Sequence, residues 1–305
     1  MTEPGGDLIE LAASSRREFV MCAPFAKRAV VERVMSVVPG HVEVALYTRW
    51  RPEEVAAGVS DTQVLQVLNA RGGSVYLHNR LHAKFYRNES DVLLGSANLT
   101  AAAMGWSQNP NLELLVLSSR DRVTGLEQCL SEESTLATEE LAHEVDEIAS
   151  FLPGPTLEPA EMQPSARQHG LWVPQLRMPS DLYLAYCNGP GSLTSRSATA
   201  AAVDLAVLDL PVGLDKRQFE LLVGHRLGCQ PIFRDLDQHL EQPRRFGEVR
   251  QKVSQLTGFD HDQAVDAWQT LMRWMLEFLP NRYTHDVKRH SEMLSRATTT
   301  TESSR

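Results

Sequence analysis

Residues 81–117 constrain what this chain can fold into more than any other segment. They read LHAKFYRNESDVLLGSANLTAAAMGWSQNPNLELLVL, in which short apolar runs alternate with polar residues. His82 and Lys84 are two positions apart, so on an extended segment their side chains point to the same side. Three further polar side chains follow in order: Ser96, Asn98 and Glu113. A nucleophile, a cation and neutral hydrogen-bonding groups together favour attack on a phosphoryl group.

This order, His-x-Lys, then Gly-Ser-x-Asn, then a glutamate, resembles the signature of the phospholipase D superfamily. The segments LHAKFY, VLLGSANLT and NLELLV are most similar to those of the superfamily's single-motif bacterial branch, which includes nucleases and restriction endonucleases. The resemblance covers residues 1–120 and implies a metal-independent phosphodiesterase without a cofactor. It implies five catalytic residues: His82, Lys84, Ser96, Asn98 and Glu113. Three nearby arginines are predicted to bind the substrate: Arg49, Arg80 and Arg87.

One position departs from the family pattern. Members with a full motif carry an aspartate a few residues after the lysine, and here Glu89 and Asp91 straddle that place. This acid varies in the nuclease branch, so Asp91 is interpreted as structural.

The chain carries one copy of the motif, whereas the superfamily works with two copies that face each other. The resemblance therefore implies a homodimer with two-fold symmetry and one composite site on the axis. His82 of one subunit would form a phosphohistidine, while the second His82 would protonate the leaving oxygen and then activate water. Glu113 would hold an imidazole, and the two Lys84 ammonium groups would stabilise the transition state. No metal-ligand spacing is apparent, so no metal is predicted.

Composition narrows the class of protein. No apolar run approaches the roughly 20 residues that a membrane span requires, and the N-terminus has no secretory pattern. The cysteines at 22, 129, 187 and 229 form no disulfide or metal pattern, so a reduced, cytoplasmic protein is expected. A net charge of -9 argues weakly against a surface that binds nucleic acid everywhere, although a basic cleft remains compatible with it.

The pattern of elements predicts an α/β fold. Strands alternate with helices through the first part, which predicts a phospholipase D-like mixed β-sheet flanked by helices, followed by a mainly α-helical C-terminal domain. We predict a catalytic domain at 1–150, a Pro-rich linker at 151–170, an accessory domain at 171–296 and a disordered tail at 297–305. Within the accessory domain, LWVPQLRM and DLYLAYCN are read as strands, and HDQAVDAWQTLMRWMLEFLP as a helix with an apolar core face.

Basic clusters in the accessory domain have two interpretations. The segment NRYTHDVKRHSEML, with His285 and His290, is read as a solvated helix face, the alternative being phosphate contact. The cluster around Arg244, Arg245, Arg250 and Lys252 is read in the same way, with a recognition helix as its alternative. His78 is expected to be a structural residue at a loop or strand end, the alternative being contact with the substrate.

The leading functional hypothesis is a DNA endonuclease of restriction or phage defence, with DNA favoured over RNA as the partner. Defence-system proteins are further expected partners, and no membrane is. Two alternatives stay open: a phospholipid-hydrolysing enzyme of the same superfamily, and a catalytically silent scaffold subunit of a defence complex. The intact His82, Lys84 and Glu113 count against the scaffold, and the absence of a basic amphipathic membrane helix counts against the lipid enzyme.

Overall fold

The computed structural model describes residues 4–152, 171–288 and 291–297. The chain divides into two compact units, Met1–Ala160 and Glu161–Arg305. Residues 153–170 of the predicted linker, Arg289, His290 and residues 298–305 of the predicted tail lie outside the described residues. Among the described residues, no helix is both long and apolar enough to cross a membrane.

The first unit is built on a mixed sheet. Its helices are α1 (Pro4–Ala13), α2 (Arg28–Met35), α3 (Pro52–Ala56), α4 (Val64–Asn69), α5 (Thr124–Glu133) and α6 (Glu139–Ser150). Its strands are β1 (Glu18–Cys22), β2 (Glu43–Thr48), β3 (Ser74–Leu77), β4 (Phe85–Asn88), β5 (Val92–Gly95), β6 (Leu115–Ser118) and β7 (Thr135–Leu136). The sheet order is β6-β5-β4-β1-β2-β3-β7.

The central strand β1 explains why this sheet has two covered faces. Phe19 and Met21 of β1 pack on one face with residues of α1, α2, α4 and α6. Val20 and Cys22 point to the other face and pack with residues of β4 and α5. A strand that is apolar on both sides is typical of a sheet sandwiched between helices. The predicted α/β fold with a mixed sheet flanked by helices is therefore confirmed.

The second unit is mainly helical. Its helices are α7 (Leu182–Asn188), α8 (Ser195–Leu208), α9 (Lys216–Gly228), α10 (Pro231–His239), α11 (Phe246–Thr257) and α12 (His261–Phe278). Its strands β8 (Arg244–Arg245), β9 (Tyr283–Lys288) and β10 (Ser291–Arg296) form a sheet in the order β8-β10-β9. The predicted helical character and the predicted α12 are confirmed, and Trp268, Leu271 and Met275 are buried as expected.

Three readings of the second unit are wrong. DLYLAYCN is the helix α7, because Leu182 and Ala185 are buried one turn apart and Gly189 adopts the positive φ that ends it. Residues 171–178 form no strand. The segment NRYTHDVKRHSEML contributes to the β9–β10 pairing instead of a helix face, with His285 opposite Leu294.

Candidate active site

The sheet topology alone brings the predicted catalytic residues to one edge. β1 pairs with β4 antiparallel, with Cys22 opposite Phe85, so residues just before β4 lie at the carboxyl end of β1. β5 runs antiparallel to β4 and ends at Gly95, and β6 runs antiparallel to β5 and begins at Leu115. The segments before β4, after β5 and before β6 therefore share this edge.

His82 and Lys84 lie in the extended approach to β4. The predicted strand LHAKFY begins only at Phe85, although the N–H of Gly95 donates to the Lys84 carbonyl at 3.3 Å and continues the ladder by one position. Lys84 Nζ donates to the His82 carbonyl at 2.9 Å, and this bond holds the ammonium group next to the backbone of His82. His82 is exposed, so its ring is accessible to a ligand.

Electrostatics favour a neutral imidazole at this position. The Lys84 ammonium lowers the pKa of His82 below its usual value, and partial burial and the Arg49 guanidinium act in the same direction. The pKa of Lys84 is also lowered, mainly by burial and then by Arg49, while Glu113 opposes the shift. The neutral form of His82 is the nucleophilic one.

Gly95 allows the two strands to meet closely beside Ser96. A Cβ added at Gly95 would lie 1.8 Å from the Leu114 carbonyl oxygen, a separation that no side chain tolerates. The Ser96 hydroxyl donates to Glu113 Oε2 and accepts from the Leu114 N–H at 3.2 Å. This packing holds Ser96 and Glu113 against each other.

Glu113 is held by neighbours other than His82. Its Oε1 accepts from Asn111 Nδ2 at 3.2 Å, and its Oε2 accepts from Ser96. Within the described ranges, no hydrogen bond joins Glu113 to His82 of the same chain. The predicted contact of Glu113 with an imidazole remains a prediction.

Asn98 is anchored through its carbonyl oxygen. The Phe25 N–H donates to Asn98 Oδ1 at 3.4 Å, and the Leu99 N–H donates to the Phe25 carbonyl at 3.0 Å. Tyr86 is fully buried, and its hydroxyl donates to the Ala97 carbonyl at 2.7 Å. The loop after β5 is thus attached to the sheet on both sides of Asn98, and its Nδ2 has no partner among the described residues.

The three predicted substrate-binding arginines occupy different environments. Arg49 is buried; its guanidinium donates to both carboxylate oxygens of Glu54 and, through NH1, to the Leu81 carbonyl at 3.0 Å. Arg49 therefore holds the backbone directly before His82, a role that its position in the sequence did not reveal. Burial raises the pKa of Glu54, and the Arg49 guanidinium opposes that rise.

Arg87 and Arg80 are both paired with carboxylates. Arg87 is buried, with its Nε bonded to Glu127 and its NH1 3.0 Å from Glu18. Arg80 is exposed and contacts Glu133. Arg80 is consequently the predicted arginine that could reach a ligand, whereas Arg87 is enclosed by its partners.

The acids that stand near the family aspartate have local roles. Glu89 accepts from the backbone N–H groups of Arg16 and Arg17 at 3.1–3.3 Å. The Asp91 N–H donates to Asn88 Oδ1 at 2.8 Å in the turn between β4 and β5, and its side chain is exposed. Glu89 therefore has a local structural role, and the structural interpretation of Asp91 remains a prediction.

Comparison with known proteins identifies partial likenesses. No family model and no curated protein matches the chain. NucT from Helicobacter pylori aligns with a TM-score of 0.35 and 16% identity, covering 43% of this chain and 89% of its own. A phospholipase D family member, Nuc from Salmonella typhimurium, aligns with a TM-score of 0.35 and 17% identity, covering 44% of this chain and 90% of its own.

Proposed function

We propose that this protein is a metal-independent phosphodiesterase that cleaves nucleic acid, DNA in preference to RNA. The observation that carries the proposal is the convergence of an accessible imidazole, a cation and a Ser–Glu pair at one sheet edge. The cation lowers the pKa of His82, which supplies the neutral nucleophile near neutral pH.

The proposed chemistry has two steps. Neutral His82 attacks phosphorus, so an N–P bond forms while the bond to the leaving oxygen breaks. The second subunit's His82, whose protonated form the negative charge of the bound phosphodiester favours, protonates that oxygen. That second imidazole, now neutral, takes a proton from water, which attacks phosphorus and releases His82. Lys84 and the amide of Asn98 stabilise the charge on the non-bridging oxygens.

A homodimer supplies the second imidazole. One chain carries one His-x-Lys motif, and the surface beside its Glu113 is apolar. Leu117 of the edge strand β6 is 65% exposed, and Leu112, just before that strand, is 87% exposed. Leu114 and Val116 are exposed as well. Apolar residues on an edge strand favour association, so this surface supports pairing of two chains near the site.

We propose that the protein acts in restriction or phage defence. In that role residues 1–150 cleave, residues 171–296 bind the target or partner proteins, and residues 151–170 connect them. Exposed Arg245 and half-buried Arg244 and Lys252 lie close together in sequence on β8 and α11, which supports phosphate contact by the second unit. Expression of wild-type and His82→Ala protein in phage-challenged cells tests this role; equal plaque counts would refute it.

Cleavage in excess EDTA tests the enzymatic proposal. Plasmid DNA, single-stranded DNA, RNA and a phospholipid are incubated with wild type, His82→Ala and His143→Ala. His143 is exposed on α6 and serves as the matched control. We expect wild type and His143→Ala to cleave DNA and His82→Ala to be inactive.

Trapping the intermediate tests the mechanism separately. Rapid alkaline quenching of wild type with a labelled phosphodiester should leave an acid-labile label on the peptide that contains His82. Cleavage that His82→Ala retains would refute the catalytic assignment, and hydrolysis of the lipid alone would replace nucleic acid as the substrate.

A further inference from the structure

Three side chains with metal-binding atoms, which the proposed His82 reaction does not use, lie together at the end of β3 and on α5. His78 directly follows β3, while Cys129 and Glu133 lie one turn apart on α5 and face the same side. One ligand atom from each lies within 4.8 Å of the other two. The sequence shows no ligand spacing here, because His78 lies 51 residues before Cys129 and only the fold brings the two together.

The imidazole of His78 is poorly satisfied within the protein. The residue is 9% exposed, and its buried Nδ1 has no hydrogen-bond partner among the described residues. Its Nε2 lies 3.4 Å from Glu133 Oε2, longer than a usual N–H···O bond. A buried imidazole nitrogen without a partner calls for an explanation, and coordination of an ion by this imidazole is one.

We propose that His78, Cys129 and Glu133 bind one Zn²⁺, with water as the fourth ligand. An imidazole nitrogen, a thiolate and a carboxylate are the donors that zinc takes in a tetrahedral site, whereas Mg²⁺ and Ca²⁺ prefer oxygen donors alone. The Cys129 thiol gives its proton to solvent on binding. The thiolate and carboxylate then balance the charge of the ion.

Arg80 competes for the same carboxylate. It contacts Glu133 Oε2, but its side chain is 68% exposed, and an exposed ion pair of this kind contributes little. Zinc would take the carboxylate from Arg80 and release the guanidinium at the sheet edge that also carries His82. Zinc would attach α5 to the end of β3, while the His82 reaction proceeds without it.

Metal titration of the full chain tests the site. Zn²⁺ is added to the reduced protein in competition with a chromophoric chelator, and Co²⁺ is used as a spectroscopic probe. We expect one ion per chain and a thiolate-to-Co²⁺ charge-transfer band. Cys129→Ser should abolish the band, and His78→Gln should weaken Zn²⁺ binding more than about 10-fold, the loss usual for even an outer-shell partner.

Cys187→Ser is the matched control, since Cys187 is an exposed free cysteine of the second unit. It should keep both the band and the affinity. Wild type that binds no Zn²⁺, or Cys129→Ser that keeps the band and affinity, would overturn the proposal. Cleavage in EDTA is measured independently, so failure of the zinc site leaves the His82 proposal standing.

Discussion

Removal of the carboxylate that faces Arg49 should destabilise the first unit strongly. Both side chains of this pair are less than one-tenth exposed, and Arg49 Nε donates to Glu54 Oε2 at 3.0 Å. Glu54→Gln keeps the shape and one acceptor, but it leaves a buried guanidinium without its counter-charge. Breaking a buried pair from one side costs about 3–5 kcal/mol, and the retained acceptor favours the lower end.

Calorimetry measures this change directly. A loss of about 3 kcal/mol lowers the Tm of a unit of this size by about 6–12 °C. The control is Glu32→Gln, which breaks the half-exposed Arg28–Glu32 pair and should change stability by about 0.5 kcal/mol or less. Equal, small Tm shifts in the two variants would show that the Arg49–Glu54 pair does not stabilise the fold.

A double variant separates stability from function. Arg49→Met with Glu54→Leu removes both charges, and an apolar replacement of a buried pair is often neutral or stabilising. It should therefore recover the Tm that Glu54→Gln loses. Its cleavage rate should nevertheless fall below that of wild type, because the Leu81 carbonyl, one residue before His82, loses its Arg49 donor. Full activity in the double variant would refute the supporting role of Arg49.

Three further predictions follow from local geometry. Gly95→Ala should lower the free energy of unfolding by about 3 kcal/mol, because its methyl group overpacks the strand contact. Gly125→Ala, in open space on α5, should raise it by about 0.5–1 kcal/mol. Urea unfolding measures both values, and equal shifts would contradict the packing argument. Lys84→Gln should raise the pKa of His82, so the NMR titration of its ring and the acidic limb of the rate profile should both move to higher pH; an unchanged titration would exclude Lys84 as the cause of the low pKa. Burial raises the pKa of Asp204 to about 6, so the native state binds more protons than the unfolded state between about pH 4 and 6, and stability should fall by about 2 kcal/mol as pH rises through that window. The difference in unfolding free energy between wild type and Asp204→Asn measures this slope, and a difference independent of pH would refute it.

Tertiary pairing decided several features that local patterns misjudged. Helix α4 begins at Val64 without a side-chain cap, although Asp61 and Thr62, whose residue types favour the N-cap position, lie just before it. Asp61 instead pairs with Lys27, and Thr62 donates to Asp146, 84 residues away. A partner far away in the sequence can bind a side-chain oxygen that would otherwise cap the helix. A short stretch of sequence does not include that partner.

The basic residues near the motif illustrate the same limit. Their number is compatible with a positively charged cleft, yet Arg49 is buried against Glu54 and Arg87 against Glu127, 40 residues away. A charge is visible in the sequence, whereas its partner and its distance from solvent depend on packing. The number of basic residues therefore says less about the charge of a cleft than the burial of each side chain does.

The sequence by itself determined the α/β pattern, the order of the motif residues and the resemblance of that motif to the phospholipase D signature. The alternation of apolar and polar residues and the spacing of the motif are properties of residues close together in the chain. Only the tertiary structure decided that Arg49 supports the backbone before His82, that Glu113 lies against Ser96, and that His78 approaches Cys129. Those contacts join segments tens of residues apart, and their geometry depends on strand order and helix packing, which no local preference encodes.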